Sequence, residues 1–260
     1  AITLIDLTTL AGNDTPGRVR RLCAKARQPV RRDVLQALGM AEGSVRTGAV
    51  CVYHAMVPTA VDALAGSGSP GAAVSSPFPQ RVAEIEASVA AGAAEIDIVV
   101  TRAHVLTGNW QALYDEVRAF RDASGDAHMK TILATGELAM LRNVQKASLV
   151  CMMAGADFVK TSTGKESVNA TLPVGLTMAR AVRAYAERTG YAIGFKPAGG
   201  IRTAKDALTW LFLMKEELGS GWLQPSLFRF GASSLLADIE RQLEHHVTGR
   251  YSALHRHPLA

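Results

Sequence analysis

Two lysines each close a short run of apolar residues. Lys160 ends the run 157–160, and Lys196 ends the run 192–196, 36 positions further along the chain. That spacing corresponds to roughly one strand–helix–strand unit, so we predict that the lysines lie on neighbouring strands, with backbones about 4.8 Å apart. A strand covered on both faces gives a lysine no route to water, so each lysine must be paired or take part in chemistry.

Two neighbouring ammonium groups change each other's acidity. At about 5 Å and an effective dielectric of about 20, their repulsion is about 3 kcal/mol, which lowers the pKa of one lysine by roughly two pH units. A lysine that is partly neutral near pH 7 attacks a carbonyl carbon and forms a Schiff base. The alternative is that both lysines are solvated loop residues just past the strand ends.

A carboxylate lies in the middle of another apolar run. Asp97 occupies the third position of the run 95–100 and is flanked by isoleucines. A carboxylate in a buried strand must be compensated by a cation or by hydrogen bonds. We therefore predict that Asp97 pairs with one of the lysines and passes protons, and the alternative is a purely structural ion pair.

Three segments rich in glycine and hydroxyl residues follow the late runs. They are 161–165 directly after Lys160, 198–202 two residues after Lys196, and 231–234 after the eighth run. Glycine lets backbone N–H groups approach an oxyanion, and a helix N-terminus adds its dipole. Each segment alone is commonly a plain turn, but together at adjacent strand ends they favour a phosphate monoester as substrate.

Short apolar runs alternate with amphipathic segments along the whole chain. The predicted strands are 3–7, 49–53, 72–74, 95–100, 129–133, 157–160, 192–196 and 227–230. The predicted helices are 34–38, 79–91, 110–124, 138–154, 173–188, 203–218 and 234–246. Eight such units in about 250 residues predict one α/β domain, a parallel eight-stranded (β/α)8 TIM barrel over 1–243 with a tail at 244–260. A doubly wound open sheet is the alternative, although its usual GxGxxG fingerprint is absent.

Composition excludes several classes of protein. The 260 residues are 48% hydrophobic and 20% charged, which excludes a disordered chain. Three cysteines without a paired spacing disfavour a disulfide or zinc scaffold and favour the reducing cytoplasm. No apolar run approaches the roughly 20 residues that span a bilayer, and no secretory leader is recognisable, so we expect no membrane association.

The basic charge balance favours an anionic partner. The net charge is +5, and the densest basic segment, 18–32, predicts one helix with a solvated basic face. A nucleic-acid binder would need aromatic residues interleaved with the basic ones, but aromatics make up 6% and are scattered. We therefore expect a small phosphorylated substrate and no nucleic-acid partner.

Longer motifs around these residues resemble a known family. They are FVKTSTG at 158–164, GFKPAGGIRT at 194–203 and FGASS at 230–234, supported by IDLTTL at 5–10, CVY at 51–53, EIDIV at 95–99 and TGEL at 135–138. In this order they resemble the deoxyribose-phosphate aldolase family of class I aldolases.

The resemblance implies a (β/α)8 barrel enzyme that reversibly cleaves 2-deoxy-D-ribose 5-phosphate to D-glyceraldehyde 3-phosphate and acetaldehyde. Lys160 would form the Schiff base, Lys196 would keep it reactive, and Asp97 would share proton transfer with Lys196. Asp6 and Thr163 would sit near the sugar hydroxyls. The phosphate would be surrounded by Gly164, Lys165, Gly199, Gly200, Arg202, Ser233 and Ser234. Neither a metal nor a cofactor is implied, because the imine is itself the electron sink. A homodimer, common in the family, is compatible with the resemblance.

Some positions depart from the family pattern or stay open. His54, Ala134 and the stretch 75–79 differ from it near the expected barrel mouth, which leaves acceptor preference and loop closure open. Tyr251 in the tail either reaches the site or belongs to a disordered segment, and Cys51 is either a buried apolar residue or a thiol open to aldehydes. Another class I phosphate-binding barrel aldolase, transaldolase-like or keto-acid-specific, would share the imine chemistry without predicting the lysine on the seventh strand.

Overall fold

The computed structural model describes residues 1–74 and 78–257. Its strands are β1 Ile5–Thr8, β2 Ala49–Tyr53, β3 Pro70–Val74, β4 Glu95–Val99, β5 His128–Ile132, β6 Phe158–Lys160, β7 Gly194–Lys196 and β8 Phe230–Ala232. They form one parallel sheet in the order β7-β6-β5-β4-β3-β2-β1-β8. Two isolated bridges close the sheet: Phe195 on β7 pairs with Phe228 just before β8, and Ala198 just after β7 pairs with Gly231 on β8. The predicted eight-stranded parallel barrel is thereby confirmed.

Helices connect the strands and cover the outside of the barrel. They are α1 Pro16–Arg27, α2 Arg32–Ala37, α3 Val57–Leu64, α4 Phe78–Ala90, α5 Arg102–Leu106, α6 Trp110–Ser124, α7 Leu141–Met153, α8 Leu172–Thr189, α9 Ala204–Leu218 and α10 Leu235–Thr248. In the described ranges, none of them combines the length and the apolarity required to cross a membrane.

Local sequence signals account for several helix ends. The α6 helix begins after Asn109, whose side chain accepts a hydrogen bond from the backbone N–H of Ala112 at 3.2 Å. The α9 helix begins at a capping box between Thr203 and Asp206, which satisfies N–H groups that have no partner inside the helix. The α8 helix ends at Gly190, whose φ of 78° is in the left-handed region that glycine adopts readily.

Several predicted boundaries were wrong. The basic segment 18–32 does not form one helix, because Pro29, which has no N–H, lies between α1 and α2. The eighth strand begins at Phe230, so most of the predicted run 227–230 precedes it. The short helices α3 and α5 were not predicted, and α10 continues to Thr248, beyond the predicted domain boundary at 243.

Alternation along the strands separates an apolar shell from a charged interior. Ile96 and Ile98 belong to the apolar core between strands and helices. Their neighbours Glu95 and Asp97 project from the opposite face of β4 into the barrel, because successive side chains of a strand point to opposite sides. The interior of the barrel therefore receives the charged side chains.

One glycine allows β6 and β7 to pack closely. Gly194 pairs with Phe158, and a Cβ atom at position 194 would overlap the phenyl ring of Phe158. Two residues further along the same ladder, Lys160 pairs with Lys196. The close approach at Gly194 thus places the two lysines at the same level.

Candidate active site

The two lysines that the sequence singled out are neighbours inside the barrel. Lys160 on β6 is 2% exposed and Lys196 on β7 is fully buried. Their pairing in the β6–β7 ladder confirms the predicted register and excludes the alternative of solvated loop lysines. Burial of two adjacent ammonium groups requires compensating charge.

Asp97 supplies part of that compensation to both lysines. Its Oδ2 atom accepts hydrogen bonds from Lys160 Nζ at 2.7 Å and from Lys196 Nζ at 2.8 Å. Burial by itself raises the pKa of the Asp97 carboxyl, but the two lysines outweigh it and hold the pKa well below its ordinary value. Asp97 is therefore a carboxylate in the resting site and links the lysines, and the predicted pairing is confirmed.

A second layer of charge lies beneath this contact. Asp6 Oδ2 is 2.5 Å from Lys196 Nζ, and Asp6 Oδ1 accepts a hydrogen bond from Arg229 Nη1 at 2.5 Å. Arg229 Nη2 also donates to Glu95 Oε1 at 2.9 Å, and Glu95 forms an ion pair with Lys130. The charges under the lysines thus form one continuous set.

The continuous set carries an excess of positive charge. It consists of seven buried side chains, Asp6, Glu95, Asp97, Lys130, Lys160, Lys196 and Arg229. When all seven are ionised, four cations face three carboxylates. The buried set then has a net charge of +1, so its cations are not fully compensated by its carboxylates.

Contacts with carboxylates distinguish the two lysines. Lys196 contacts the carboxylates of both Asp6 and Asp97, whereas Lys160 contacts Asp97 alone. Burial by itself lowers the pKa of Lys196, but Asp6 and Asp97 outweigh it and raise the pKa above its ordinary value. Lys196 therefore keeps its charge, and Lys160 is the less stabilised ammonium.

A pocket of about 490 Å³ opens above Lys160. Nine residues predicted for the site line it: Lys160, Thr163, Gly164, Lys165, Gly199, Gly200, Arg202, Ser233 and Ser234. The other three, Asp6, Asp97 and Lys196, lie beneath the wall rather than on it. The pocket therefore brings backbone N–H groups, hydroxyls and cations together around the buried amine of Lys160.

Asp6 has partners that the resemblance did not name. Its side chain is fully buried and holds Lys196 and Arg229, and its place near the sugar hydroxyls stays a prediction. The ordinary cost of burying a carboxylate is offset here by three cations, which keep the pKa of Asp6 below its usual value despite burial. In this structure Asp6 positions Lys196 and makes no part of the pocket wall.

The first of the three predicted anion sites is already filled by the chain. A carboxylate oxygen of Glu166 accepts hydrogen bonds from the backbone N–H of Gly164 at 3.1 Å and of Lys165 at 3.2 Å, and from Thr163 Oγ1 at 2.8 Å. Burial raises the pKa of Glu166, but the hydrogen bonds with Thr163 outweigh it and lower the pKa. The segment 161–165 thus binds an internal anion in this structure, and its predicted role in phosphate binding stays a prediction.

Sequence reasoning missed four of these charged residues, Glu95, Lys130, Glu166 and Arg229. The first two and Arg229 lie in predicted strands, so the argument that singled out Asp97 applied to all three. Glu166 directly follows the Gly164-Lys165 pair, and an acid next to a row of free N–H groups indicates an internal partner.

Positions that depart from the family pattern have identifiable contacts. His54 Nδ1 lies 2.8 Å from Ser88 Oγ on α4. Ala134 adopts a φ of 53°, a left-handed conformation uncommon for alanine. Tyr251 stacks on His245 with ring centroids 4.8 Å apart and is not part of the pocket wall. Residues 75–77 of the departing stretch 75–79 lie outside the described residues.

Cys51 is a buried thiol at the end of β2. Burial, followed by the charge of Asp97, raises its pKa to about 11. The thiolate is the reactive form of cysteine, so burial makes Cys51 a poor nucleophile at neutral pH. This favours the prediction that Cys51 is a buried apolar residue.

No metal-binding cluster of three or more His, Cys, Asp or Glu side chains occurs among the described residues. The acidic side chains in the barrel, Asp6, Glu95 and Asp97, are instead all bound to lysine or arginine. Independence from a metal or cofactor stays a prediction.

A lysine on each of two adjacent barrel strands, joined by one aspartate, is an arrangement suited to imine chemistry. The sequence model of the DeoC/LacD family aldolases matches residues 1–240. This chain belongs to the DeoC/LacD aldolase family. It is accordingly a lyase of the class I, Schiff-base-forming type, as the sequence predicted.

Individual relatives agree with this assignment. The deoxyribose-phosphate aldolase of Homo sapiens is 59% identical over 269 aligned positions, which cover 100% of this chain and 85% of the human protein. The mouse enzyme of the same name is 60% identical with the same coverage. Among solved structures, the tetrameric deoxyribose phosphate aldolase of Aeropyrum pernix superposes with a TM-score of 0.68 at 21% identity, over 96% of this chain and 92% of that one. That last likeness supports the barrel fold alone.

Proposed function

We propose that this chain reversibly cleaves 2-deoxy-D-ribose 5-phosphate to D-glyceraldehyde 3-phosphate and acetaldehyde. The observation that carries the proposal is the difference between the two lysines: Lys160 opens onto the pocket, while Lys196 is enclosed beneath it by two carboxylates. The names of the human and mouse relatives support the choice of substrate.

In the proposed mechanism, the neutral amine of Lys160 attacks the C1 carbonyl of the open-chain sugar. Loss of water gives a protonated imine, which accepts electrons from the adjacent carbon–carbon bond. Removal of the proton from the C3 hydroxyl then breaks the C2–C3 bond, which releases D-glyceraldehyde 3-phosphate and leaves an enamine on Lys160. Protonation of the enamine at C2, followed by hydrolysis, releases acetaldehyde and restores the amine.

Lys196 and Asp97 are the proposed carriers of these protons. Their hydrogen bond of 2.8 Å, with Lys160 on the same carboxylate oxygen, gives a path between the imine and the buried charges. The lysines favour the charged form of Asp97, so it holds a proton only in passing, while one moves between Lys196 and the substrate. Asp6 holds Lys196 in place from below.

The remaining pocket residues are proposed to bind the substrate's phosphate and hydroxyls. Gly199, Gly200, Ser233 and Ser234 offer backbone N–H groups and hydroxyls on the same wall, and Arg202 adds a cation. The exposed side chain of Lys165 donates a hydrogen bond to Tyr53 at 2.6 Å, next to a second pocket of about 340 Å³. Thr163 lines both pockets and lies between the phosphate side and the sugar side.

The assembly and the location of the protein stay predictions. A homodimer is expected from the family resemblance, and a cytoplasmic location from the three unpaired cysteines, all of which are buried thiols. Neither proposal is needed for the chemistry, because the two lysines and the aspartate come from one chain.

Borohydride trapping tests the proposed nucleophile. Incubation with acetaldehyde and sodium borohydride should label Lys160 irreversibly, and omission of acetaldehyde should abolish the labelling. Lys160→Arg should be folded, unlabelled and inactive, because a guanidinium cannot form the imine. Labelling that maps to Lys196 would reverse the assigned roles.

Product analysis tests the substrate. Cleavage of 2-deoxy-D-ribose 5-phosphate should release acetaldehyde and D-glyceraldehyde 3-phosphate in equal amounts. A chain that is trapped by borohydride but acts only on a keto acid or a ketose phosphate would instead be a keto-acid or transaldolase-like enzyme.

A further inference from the structure

The helix α1 presents some of its basic side chains to the active-site pocket. The sequence predicted a solvated basic face for this segment, and Arg20, Arg21 and Arg27 are indeed exposed. Arg18 and Lys25, in contrast, line the pocket that Lys160 opens onto. Seven positions apart on a helix, the two lie on the same face, two turns from each other.

Lys25 is the more enclosed of this pair. Its side chain is 16% exposed, against 38% for Arg18. The other cations proposed for phosphate binding, Lys165 and Arg202, are both exposed. A charge acts more strongly on an anion where water is scarce, so Lys25 is better placed to act on a bound phosphate than Arg18, Lys165 or Arg202.

A buried glutamate holds Lys25 at the wall. Lys25 Nζ donates a hydrogen bond of 2.6 Å to Glu240 Oε1 on α10, a residue 1% exposed. Ser233 and Ser234 lie directly before α10 and line the same pocket. The contact between α1 and α10 therefore fixes the ammonium group at the wall of the pocket that the two serines also line.

We infer that Lys25 is a phosphate-binding residue, tethered by Glu240, that gives the enzyme its preference for a phosphorylated sugar; this rests on the proposed function. A phosphate monoester carries a charge of about −1.5 to −2 near pH 7 and needs cations as well as N–H groups. The ammonium group has three donors, so it can keep its bond to Glu240 while it donates to the phosphate.

The tether also makes the test feasible, because removal of Lys25 leaves a carboxyl that can take up a proton. Burial raises the pKa of Glu240, while Lys25 and then His257 lower it. In a Lys25→Met variant, Glu240 therefore becomes neutral more readily and stays next to His257, whose Nδ1 lies 3.6 Å away. Methionine keeps the length of the side chain without its charge.

The experiment compares Lys25→Met with a control on the same helix, Arg20→Met. Steady-state kinetics are measured with 2-deoxy-D-ribose 5-phosphate and with unphosphorylated 2-deoxy-D-ribose. We expect Lys25→Met to raise the KM for the phosphorylated substrate by about tenfold or more, the value of a hydrogen bond to a charged group, with little change for the unphosphorylated sugar. Arg20→Met should leave both values as in the wild type.

Glu240→Gln separates phosphate binding from a structural role. The amide oxygen still accepts a hydrogen bond from Lys25, but no negative charge competes with the phosphate for the ammonium group. We expect the KM for the phosphorylated sugar to stay unchanged or to fall in Glu240→Gln, whereas it should rise in Lys25→Met. If both variants lost activity, and by the same factor for the phosphorylated and the unphosphorylated sugar, the pair would only support the fold. That result would overturn the inference.

Binding of inorganic phosphate distinguishes failure of this inference from failure of the proposed function. Calorimetry with inorganic phosphate needs no turnover, and we expect Lys25→Met to bind it at least about tenfold more weakly than the wild type. If the wild type did not cleave 2-deoxy-D-ribose 5-phosphate, the proposed function would fail, while this binding difference would still support Lys25 as an anion-binding residue. Equal phosphate affinity in the two proteins would overturn the inference even in an active aldolase.

Discussion

Lys160 and Lys196 stand opposite each other on β6 and β7, and both ammonium groups donate to the same carboxylate oxygen. Two cations that share one acceptor atom cannot both be fully compensated by it, because one carboxylate carries one negative charge. Lys196 gains a second carboxylate from Asp6, and Lys160 does not. The pair is therefore asymmetric, and the asymmetry selects the amine that faces the pocket.

We first predict the effect of Lys196→Leu. This change removes the cation next to Lys160 and leaves three cations and three carboxylates in the buried set. Activity should fall by about a hundredfold or more at neutral pH and should partly return at alkaline pH, where the amine is deprotonated. Because the pKa of Lys196 is raised, the wild type keeps this cation charged across the neutral and mildly alkaline range. The check is a pH–rate profile of both proteins, and profiles of identical shape would contradict the electrostatic role.

A second prediction concerns Asp97→Asn alone and combined with Lys196→Leu. The amide cannot accept a proton or balance two ammonium groups, so we expect a loss of kcat of about a hundredfold or more. Since the residues share one hydrogen bond, the double variant should be far less impaired than the product of the two single losses. The measurement is a double-mutant cycle on kcat, and strictly multiplicative losses would show that the residues act independently.

A third prediction concerns the internal anion Glu166. Glu166→Ala removes the acceptor of the N–H groups of Gly164 and Lys165, so the loop that carries Thr163 should lose its fixed shape. We expect kcat/KM to fall by about tenfold, mostly through KM, with partial retention in Glu166→Gln, whose amide oxygen still accepts hydrogen bonds.

An exposed glutamate on α8, Glu187, provides the control for that series. Glu187→Ala should leave the kinetics unchanged. If Glu166→Ala instead bound the phosphorylated substrate more tightly, Glu166 would be a competitor of the phosphate rather than a residue that shapes the loop.

A fourth prediction follows from the acidity of the thiols. Burial raises the pKa of Cys23 and of Cys51 to about 11 and that of Cys151 to about 12. At pH values near 7.5 the thiolate fraction is then below about one in a thousand, and reactivity follows the thiolate. The native protein should resist iodoacetamide at all three positions, as mass spectrometry would show, and all three should react in denaturant. Rapid native alkylation of Cys51 would contradict its burial.

The sequence by itself determined the barrel and the principal residues of the site. Alternating apolar runs and amphipathic segments are local patterns, so the eight strand–helix units could be recognised from the sequence alone. The spacing of Lys160 and Lys196 by one unit predicted adjacent strands, and Asp97 stood out because a carboxylate in a buried strand needs a partner.

Apart from the pairing of Asp97 with the lysines, tertiary structure alone decided which charges meet. Barrel closure brings Asp6 from β1 against Lys196 on β7 and brings Arg229, which precedes β8, against both Asp6 and Glu95. These contacts join residues on several strands, and their order in the chain does not specify which side chains converge inside a closed sheet.

The sequence likewise does not reveal two contacts near the pocket, the one between Lys25 and Glu240 and the one between Glu166 and the N–H groups of its loop. Lys25 pairs with Glu240 across 215 positions, which no periodicity in the sequence reveals. Glu166 is adjacent to the N–H groups that it binds, but only the folded loop determines that its carboxylate turns back onto them. Local patterns fix the strands and helices, whereas the partners of a buried charge depend on the three-dimensional directions of side chains that meet only after folding.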